Sequence, residues 1–471
     1  MGNTLPNNIN ELQKGLLNKK FSAVEIVEKY LARIRSYDKK LNAFITVTDE
    51  LAYEQAKRTD KLIRGLSNRV IKQYPLLGVV VAHKDLFLTK GIRTTAASSV
   101  LRDYVPAYSA TVVERLEKAG AIIIGKLNCD AWAHGSSGEN SDFGATKNPW
   151  NSEYVPGGSS SGSGVSVAAG MALVATGTDT CGSIRLPANY CGVVGLKPTY
   201  GSVSRYGVVA MASSLDSIGH MARTVEDGEK VYGITKGEDG KDATLKNSSY
   251  PKLQTSKKIT LGVVREFFGD GLDGEVKKNI EGVIEFYKKQ DIEIVEVSLP
   301  SSKYGISVYY IIQPAEVSSN LARYDGVRYG NSRSMFGDEA KRRIMLGNYV
   351  LSAGYWDAYY LKAMKVRSVI INEVNEVFEK VDALIAPVAP TPPFRLGERT
   401  DDPLKMYLTD IYAAVANLSG IPSLAVPSGF SKKGLPLGFQ LMGQRFSEPL
   451  LFKLGKLYQK ETDWHLKQPD L

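Results

Sequence analysis

PLLGVVVAHKD (Pro75 to Asp85) and, a little further on, TVVERLEKAGAIII (Thr111 to Ile124) decide the fold class of this 471-residue chain. PLLGVVVA (Pro75 to Ala82) is short and wholly apolar, as expected of a strand buried on both faces. TVVERLEKA (Thr111 to Ala119) is amphipathic, Gly120 stops it, and AIII (Ala121 to Ile124) is a second all-apolar strand. Helices alternating with strands that have no polar face predict an α/β fold, with a mixed central sheet covered by helices on both faces.

The pattern extends in both directions. Residues 1–70 read as helices, with Ser22 and Glu25 forming a capping box ahead of VEIVEKYLARIR (Val24 to Arg35), whose apolar residues recur at helical spacing. From Gly157 to Gly233 the chain is rich in Gly, Ser and Ala, with short apolar runs LVAT (Leu173 to Thr176) and GVVG (Gly192 to Gly195). Residues 236–258 are polar and lysine-rich and read as an exposed connection. Beyond it come a strand ITLGVV (Ile259 to Val264), a helix near residues 274–290 and a strand IEIVEV (Ile292 to Val297). A tyrosine-rich helical region follows (Tyr309, Tyr310, Tyr355, Trp356, Tyr359, Tyr360), then strands around Leu384 and Leu424 and at GFQLM (Gly438 to Met442). There are no internal repeats. The expected organisation is one large domain over 1–471, divided into a helical region 1–70, a core 71–235, the connection 236–258 and a second half 259–471.

Composition excludes several classes of function. With 43% apolar and 23% charged residues the chain suits a large core rather than disorder. No apolar run approaches the roughly 18–20 residues of a membrane helix, and the polar start MGNTLPNN lacks the apolar centre of a signal peptide. Pro6 breaks the myristoylation pattern. The cysteines Cys129, Cys181 and Cys191 match neither a disulfide framework nor a zinc spacing, so no metal is expected and a reducing, cytoplasmic setting is. A net charge of +9 suits a polyanionic partner such as RNA, and equally a merely basic protein. GAIIIGKL (Gly120 to Leu127) has the Gly and Lys spacing of a P-loop, but Leu127 replaces the magnesium-holding hydroxyl and its centre is a strand. The four histidines, His83, His134, His220 and His465, show no metal-ligand spacing, and each reads equally as an ordinary packed or surface residue.

Chemistry concentrates in two glycine-rich turns, PGGSSSGSG (Pro156 to Gly164) and TDTCGSIR (Thr178 to Arg185), and in Lys84 at the end of the first apolar strand. A serine hydroxyl needs a base to become a nucleophile, and a lysine serves as that base only if burial leaves it neutral. The first turn runs into VSVAAGMAL (Val165 to Leu173), which puts Ser159 at a helix N-terminus with free N–H groups. The second turn is tight enough to aim several N–H groups at one point, as an oxyanion hole requires.

These motifs resemble the amidase signature family, and within it the A subunits of aspartyl/glutamyl-tRNA amidotransferases. The resemblance rests on PLLGVVVAHKD, VPGGSSSGSG, GTDTCGSIRLPANYCGVVGLKPTYG and VSRYGVVAMASSLDSIGHM, and continues through SSNLARYDGVRY, KRRIMLG and DPLKMYLTD. It implies the amidase-signature fold, with 71–235 as the signature core. By resemblance Lys84 is the base, Ser159 the relay serine on a cis peptide bond, and Ser183 the nucleophile. The backbone N–H groups of Thr180, Cys181, Gly182 and Ser183 form the oxyanion hole, and Tyr309, Arg343 and Asp410 bind glutamine. The implied activity is glutaminase, with the ammonia used to amidate Glu-tRNA(Gln), and also Asp-tRNA(Asn) in some relatives. The implied partners are B and C subunits and, mainly through B, aminoacyl-tRNA. No cofactor is implied in this chain, since ATP and Mg belong to the B subunit. Cys181 and Ser161 stand where the family usually has glycine, Leu86 where it often has asparagine, and the segment from Tyr329 to Gly337 is short. The alternatives are a free-standing amidase on other small amides and a catalytically inactive scaffold subunit.

Overall fold

The computed structural model describes residues 5–66, 70–246 and 258–471. Its strands are β1 (Phe44–Val47), β2 (Val80–Lys84), β3 (Ile122–Leu127), β4 (Val174–Asp179), β5 (Val194–Lys197), β6 (Ser217–Ala222), β7 (Thr260–Val264), β8 (Glu293–Val297), β9 (Ala383–Pro387), β10 (Ser423–Phe430) and β11 (Pro436–Gly443). They form one mixed sheet in the order β1-β3-β2-β4-β6-β5-β10-β11-β9-β7-β8. The trio β3-β2-β4 is parallel, the central strands from β4 to β9 run antiparallel, and β9-β7-β8 is parallel again. This is the expected α/β class. Strands β2, β3, β4, β5, β6, β9 and β11 are buried at every residue, because helices cover both faces.

Two apolar clusters flank the sheet. The larger joins the first helices (Ile9–Leu17 and Ala23–Leu41) to the β1–β6 half, with Val80, Ile122, Val174 and Leu196 at its centre. The second joins Val264, Leu384 and Met442 to the helices Gly305–Leu321 and Lys362–Phe378 through Val308, Tyr309, Ile312, Ile370 and Val374. Cys181 belongs to this second cluster, so the second glycine-rich turn lies where the two halves meet.

Two differences from the sequence reading have local causes. FITV (Phe44–Val47), inside the region read as helical, is a strand paired antiparallel with β3. Asn42 ends the preceding helix in the left-handed conformation (φ 52°) and the Asp38 carboxylate accepts the N–H groups of Ala43 and Phe44, turning the chain into the sheet. Four residues are too few for periodicity to reveal. The strand read from Pro75 begins only at Val80, because residues 76–78 form a turn with Gly78 at φ 76°. Of the expected connection 236–258, residues 247–257 lie outside the described residues. Its first part is tied to the core, with Asp242 paired to Arg205 and Asp239 accepting from Thr111 and Ser204.

Candidate active site

Parallel strands β2 and β4 are neighbours, and their carboxyl ends carry Lys84 and the turn that holds Ser183. Crevices at such ends are where open α/β sheets bind ligands. The helix Ser161–Ala168 begins against the same ends and brings Ser159 and Ser160 to them.

Lys84 is fully buried. Its Nζ lies 2.8 Å from Ser159 Oγ, 3.0 Å from Ser160 Oγ and 2.9 Å from Thr178 Oγ1. Among the described residues no carboxylate touches it. Burial pushes its pKa down to about 8, against the pull of Cys129 and Asp130. An ammonium donates to all three hydroxyls, whereas a neutral amine has a lone pair that one of them must fill. Ser160 already donates to the Thr178 carbonyl (3.2 Å), so Ser159 and Thr178 are the hydroxyls able to do so. Sequence reasoning singled out Ser159 and missed Ser160 and Thr178, although both lie inside the quoted motifs.

The first turn is held from beneath by Asp130. The Gly158–Ser159 peptide bond is cis, and a Cβ on Gly158 would lie 2.0 Å from Asp130 Oδ2. The Asp130 carboxylate accepts the N–H groups of Gly138 and Asn140, its own N–H donates to the Ser159 carbonyl (3.1 Å), and burial pushes it up to about 7.

The second turn is built around Asp179. Its carboxylate accepts N–H from Gly182 (2.7 Å) and Ile184 (3.2 Å) and pairs with the buried Arg185 (3.0 Å). Burial alone would raise Asp179, but Arg185 wins and holds it well below the usual carboxylate range. Arg185 reaches on to Gln440, Asn417 and the Ala413 carbonyl, so the pair braces the turn. Gly182 sits at φ 93°, and a Cβ there would press to 2.8 Å from Ala413 Cβ. The Ser160 N–H donates to the Ser183 carbonyl (3.1 Å), fixing the two turns to each other. One expected oxyanion donor differs: the Gly182 N–H is engaged by Asp179, because the carboxylate folds under the turn. The N–H groups of Thr180, Cys181 and Ser183 have no such acceptor among the described residues. Cys181 is outside the positive-φ region, so its Cβ carries no backbone penalty.

Tyr309, Arg343 and Asp410, distant in sequence, are all buried and converge on this turn. Asp410 Oδ1 lies 3.6 Å from the position of a Cβ on Gly182, and Asp410 acts electrostatically on both Cys181 and Tyr309. Burial pushes Asp410 up to about 8, opposed by the Ser136 hydroxyl, which donates to Oδ2 at 2.5 Å, and by Arg343. Arg343 Nε is held by Glu339 (2.8 Å), and its guanidinium lies 5.3 Å from the Tyr310 ring and 5.8 Å from that of Tyr407. Burial works against this cation, but Glu339 and the tyrosines hold it charged. Ser136, Glu339, Tyr310 and Tyr407 carry no sequence signal, since each matters only through a partner that folding supplies.

Lys126, of the apparent P-loop, lies in β3 and is paired with Asp85 (3.0 Å) and bonded to the Phe87 carbonyl and Thr94, all buried. It is a structural cation. Among the described residues no cluster of His, Cys, Asp and Glu could hold a metal, and no helix is long and apolar enough to cross a membrane.

The sheet carries a buried lysine and two serine-bearing turns at its strand ends, and the chain belongs to the amidase family, whose profile matches residues 25–452. It is 49% identical to the A subunit of glutamyl-tRNA(Gln) amidotransferase from Carboxydothermus hydrogenoformans, over 98% of each chain. It is 48% identical to the protein of the same name from Trichlorobacter lovleyi, over 98% of this chain and 99% of that one. Among solved structures it superposes on the Thermotoga maritima protein of that name with a TM-score of 0.79 and 40% identity, covering 93% of this chain and 92% of that one. The peptide amidase of Stenotrophomonas maltophilia superposes with a TM-score of 0.82 at 28% identity, covering 97% and 96%.

Proposed function

We propose that this chain is the glutamine-hydrolysing component of a tRNA-dependent amidotransferase. In this reading Lys84 is the base, Ser159 the relay and Ser183 the nucleophile. The observation that carries the chemistry is the fully buried Lys84 Nζ, 2.8 Å from Ser159 Oγ with no carboxylate in contact among the described residues. Neutral Lys84 takes the Ser159 proton as Ser159 takes that of Ser183, and Ser183 Oγ attacks the carboxamide carbon. The N–H groups of Thr180, Cys181 and Ser183 receive the oxyanion; one such donor is typically worth about 3–4 kcal/mol of barrier. Lys84 and Ser159 then return the proton to the leaving nitrogen, ammonia departs, and a water attacks the acyl-enzyme to give glutamate and free Ser183.

Glutamine fits the charges beside the turn. Arg343 pairs with its α-carboxylate, Asp410 with its α-ammonium, and Tyr309 lines the stem between them. A bound ammonium favours the ionised form of Asp410, so substrate draws the proton off this carboxyl. The relatives' names support the further reading that the ammonia serves Glu-tRNA(Gln) in a multi-subunit enzyme; in this reading B and C subunits complete it, in the cytoplasm. In that assembly ATP and Mg act in the B subunit, and aminoacyl-tRNA is met mainly there.

The test is ammonia release from glutamine by the chain alone and with its partner subunits, for wild type and Ser183→Ala. Release that requires Ser183 and rises with partners and Glu-tRNA is expected. Release indifferent to Ser183, or none in the full assembly, refutes the reading. Arg343→Ala should cut glutamine turnover sharply and leave simple primary amides largely untouched; equal loss on both would refute the assignment of Arg343 to the α-carboxylate.

A further inference from the structure

Beside the Arg343–Asp410 clamp, two fully buried side chains have no hydrogen-bond partner on any polar atom: both ring nitrogens of His134 and both amide atoms of Gln313. Buried polar atoms are almost always paired, so each of the four needs an explanation.

Their placement supplies one. Along the helix Gly305–Leu321, the residues Tyr309, Gln313, Val317 and Leu321 follow at four-residue spacing on one face. The chain continues to Tyr324, whose ring lies 4.7 Å from that of Trp132. The segment 132–136 runs from Trp132 back to the clamp, where Ser136 donates to Asp410. Gln313 thus lies along the helix between Tyr309 and the residues leading to the Tyr324–Trp132 contact. His134 lies along the chain between Trp132 of that contact and Ser136. Arg343 is near enough to His134 to act on it electrostatically and, with burial, keeps the ring neutral. A neutral imidazole offers one donor and one acceptor, and a carboxamide offers two donors and an acceptor.

We infer that His134 and Gln313 form the inner wall of the amide-substrate pocket, reading the α-amino-acid end of the substrate with uncharged hydrogen bonds beside the charges of Arg343 and Asp410. This rests on the glutaminase reading. The four atoms are closed off from solvent, so the side chains turn toward the substrate as it enters. Their hydrogen bonds form only in the complex, and all of that gain favours substrates carrying an α-carboxylate and α-ammonium over plain amides. A Leu or Met at these positions would pack as well and read nothing.

The test uses His134→Leu, Gln313→Met and the double variant, each assembled with the partner subunits. The readouts are the thermal midpoint without substrate and the ratio of kcat/KM for glutamine to that for propionamide. The expected result is a midpoint that holds or rises, because unpaired polar atoms have been removed, with a ratio that falls about tenfold per residue, equivalent to about one lost hydrogen bond. A midpoint that rises while the ratio stays within about twofold overturns the inference and leaves the atoms as mere packing defects. If His134→Leu fails to fold, His134→Asn keeps a donor and an acceptor: a retained ratio supports the inference, and a tenfold loss in this folded variant overturns it. A wild-type assembly that hydrolyses propionamide but not glutamine refutes the glutaminase reading itself. That outcome is distinct from an active wild type whose variants are indifferent.

Discussion

Replacing Thr178 by valine should make the enzyme faster at neutral pH. Thr178 Oγ1 is one of three hydroxyls within 3.0 Å of Lys84 Nζ, and valine matches its shape. Losing an acceptor penalises the ammonium by about 1.5–3 kcal/mol, as for hydrogen bonds to charged groups, and the neutral amine by about 0.5–1.5 kcal/mol. The difference, about 1–1.5 kcal/mol, corresponds to about one pH unit. Burial already holds Lys84 at about 8, so about a tenth of wild-type molecules carry the neutral base at pH 7. In Thr178→Val the midpoint falls to about 7, half the molecules are competent, and kcat at pH 7 rises about fivefold. The assay is ammonia release at saturating glutamine from about pH 6 to about pH 10, because kcat reports ionisations within the substrate complex. The wild-type limb should rise with pH and level off above about 8. A midpoint in the variant that stays put or moves up refutes the claim that the hydroxyl cage sets the basicity of Lys84.

Asp410 gives a second pH dependence, read in KM. Burial holds it protonated to about 8, and the proposed pairing with the glutamine ammonium needs it ionised, so KM should fall as pH rises toward that value. The native state keeps this proton where the unfolded carboxyl has lost it, so its contribution to stability declines between about pH 4 and 8. Protection by glutamine in thermal melts should therefore grow over the same range. Gly158→Ala would set a Cβ 2.0 Å from Asp130 Oδ2 and should abolish activity by displacing Ser159; a variant with normal kcat would show that Asp130 does not hold the turn. Lys126→Met leaves Asp85 charged and buried, a loss of about 3–5 kcal/mol, while Lys126→Met with Asp85→Asn should recover much of it. A double variant no more stable in urea than the single would contradict the pairing.

What the sequence made legible follows physical range. Strands such as β2, β3 and β4 announce themselves because burial on both faces removes every polar residue, a property local to the segment. The strand β1 does not, since Phe44–Val47 becomes a strand only through the Asp38 cap and β3, contacts that no window of sequence contains. The two serine turns stand out through their crowding of small residues. Which of Ser159, Ser160 and Ser161 faces Lys84 depends on the backbone at Gly158, and the structure gives Lys84 both of the first two. Arg343 and Asp410 entered by resemblance alone. Ser136, His134 and Gln313 were silent because their surroundings are assembled across long separations, as in the sequence separation of 274 between Ser136 and Asp410.

That no carboxylate among the described residues touches Lys84 shapes how the site behaves in time. A histidine base backed by an aspartate keeps a permanent charge inside the protein, whether or not substrate is present. Here the resting base, once neutral, and its three hydroxyls carry no net charge. In the proposed mechanism charge separation then arises only as Ser183 attacks, when an ammonium forms at Lys84 and an oxyanion at the N–H groups of the second turn. These opposite charges are created together and vanish together when ammonia leaves. In the proposed mechanism the molecules that carry neutral Lys84 therefore stabilise a brief internal dipole, and the chemical step, shut away from solvent, should be nearly indifferent to ionic strength.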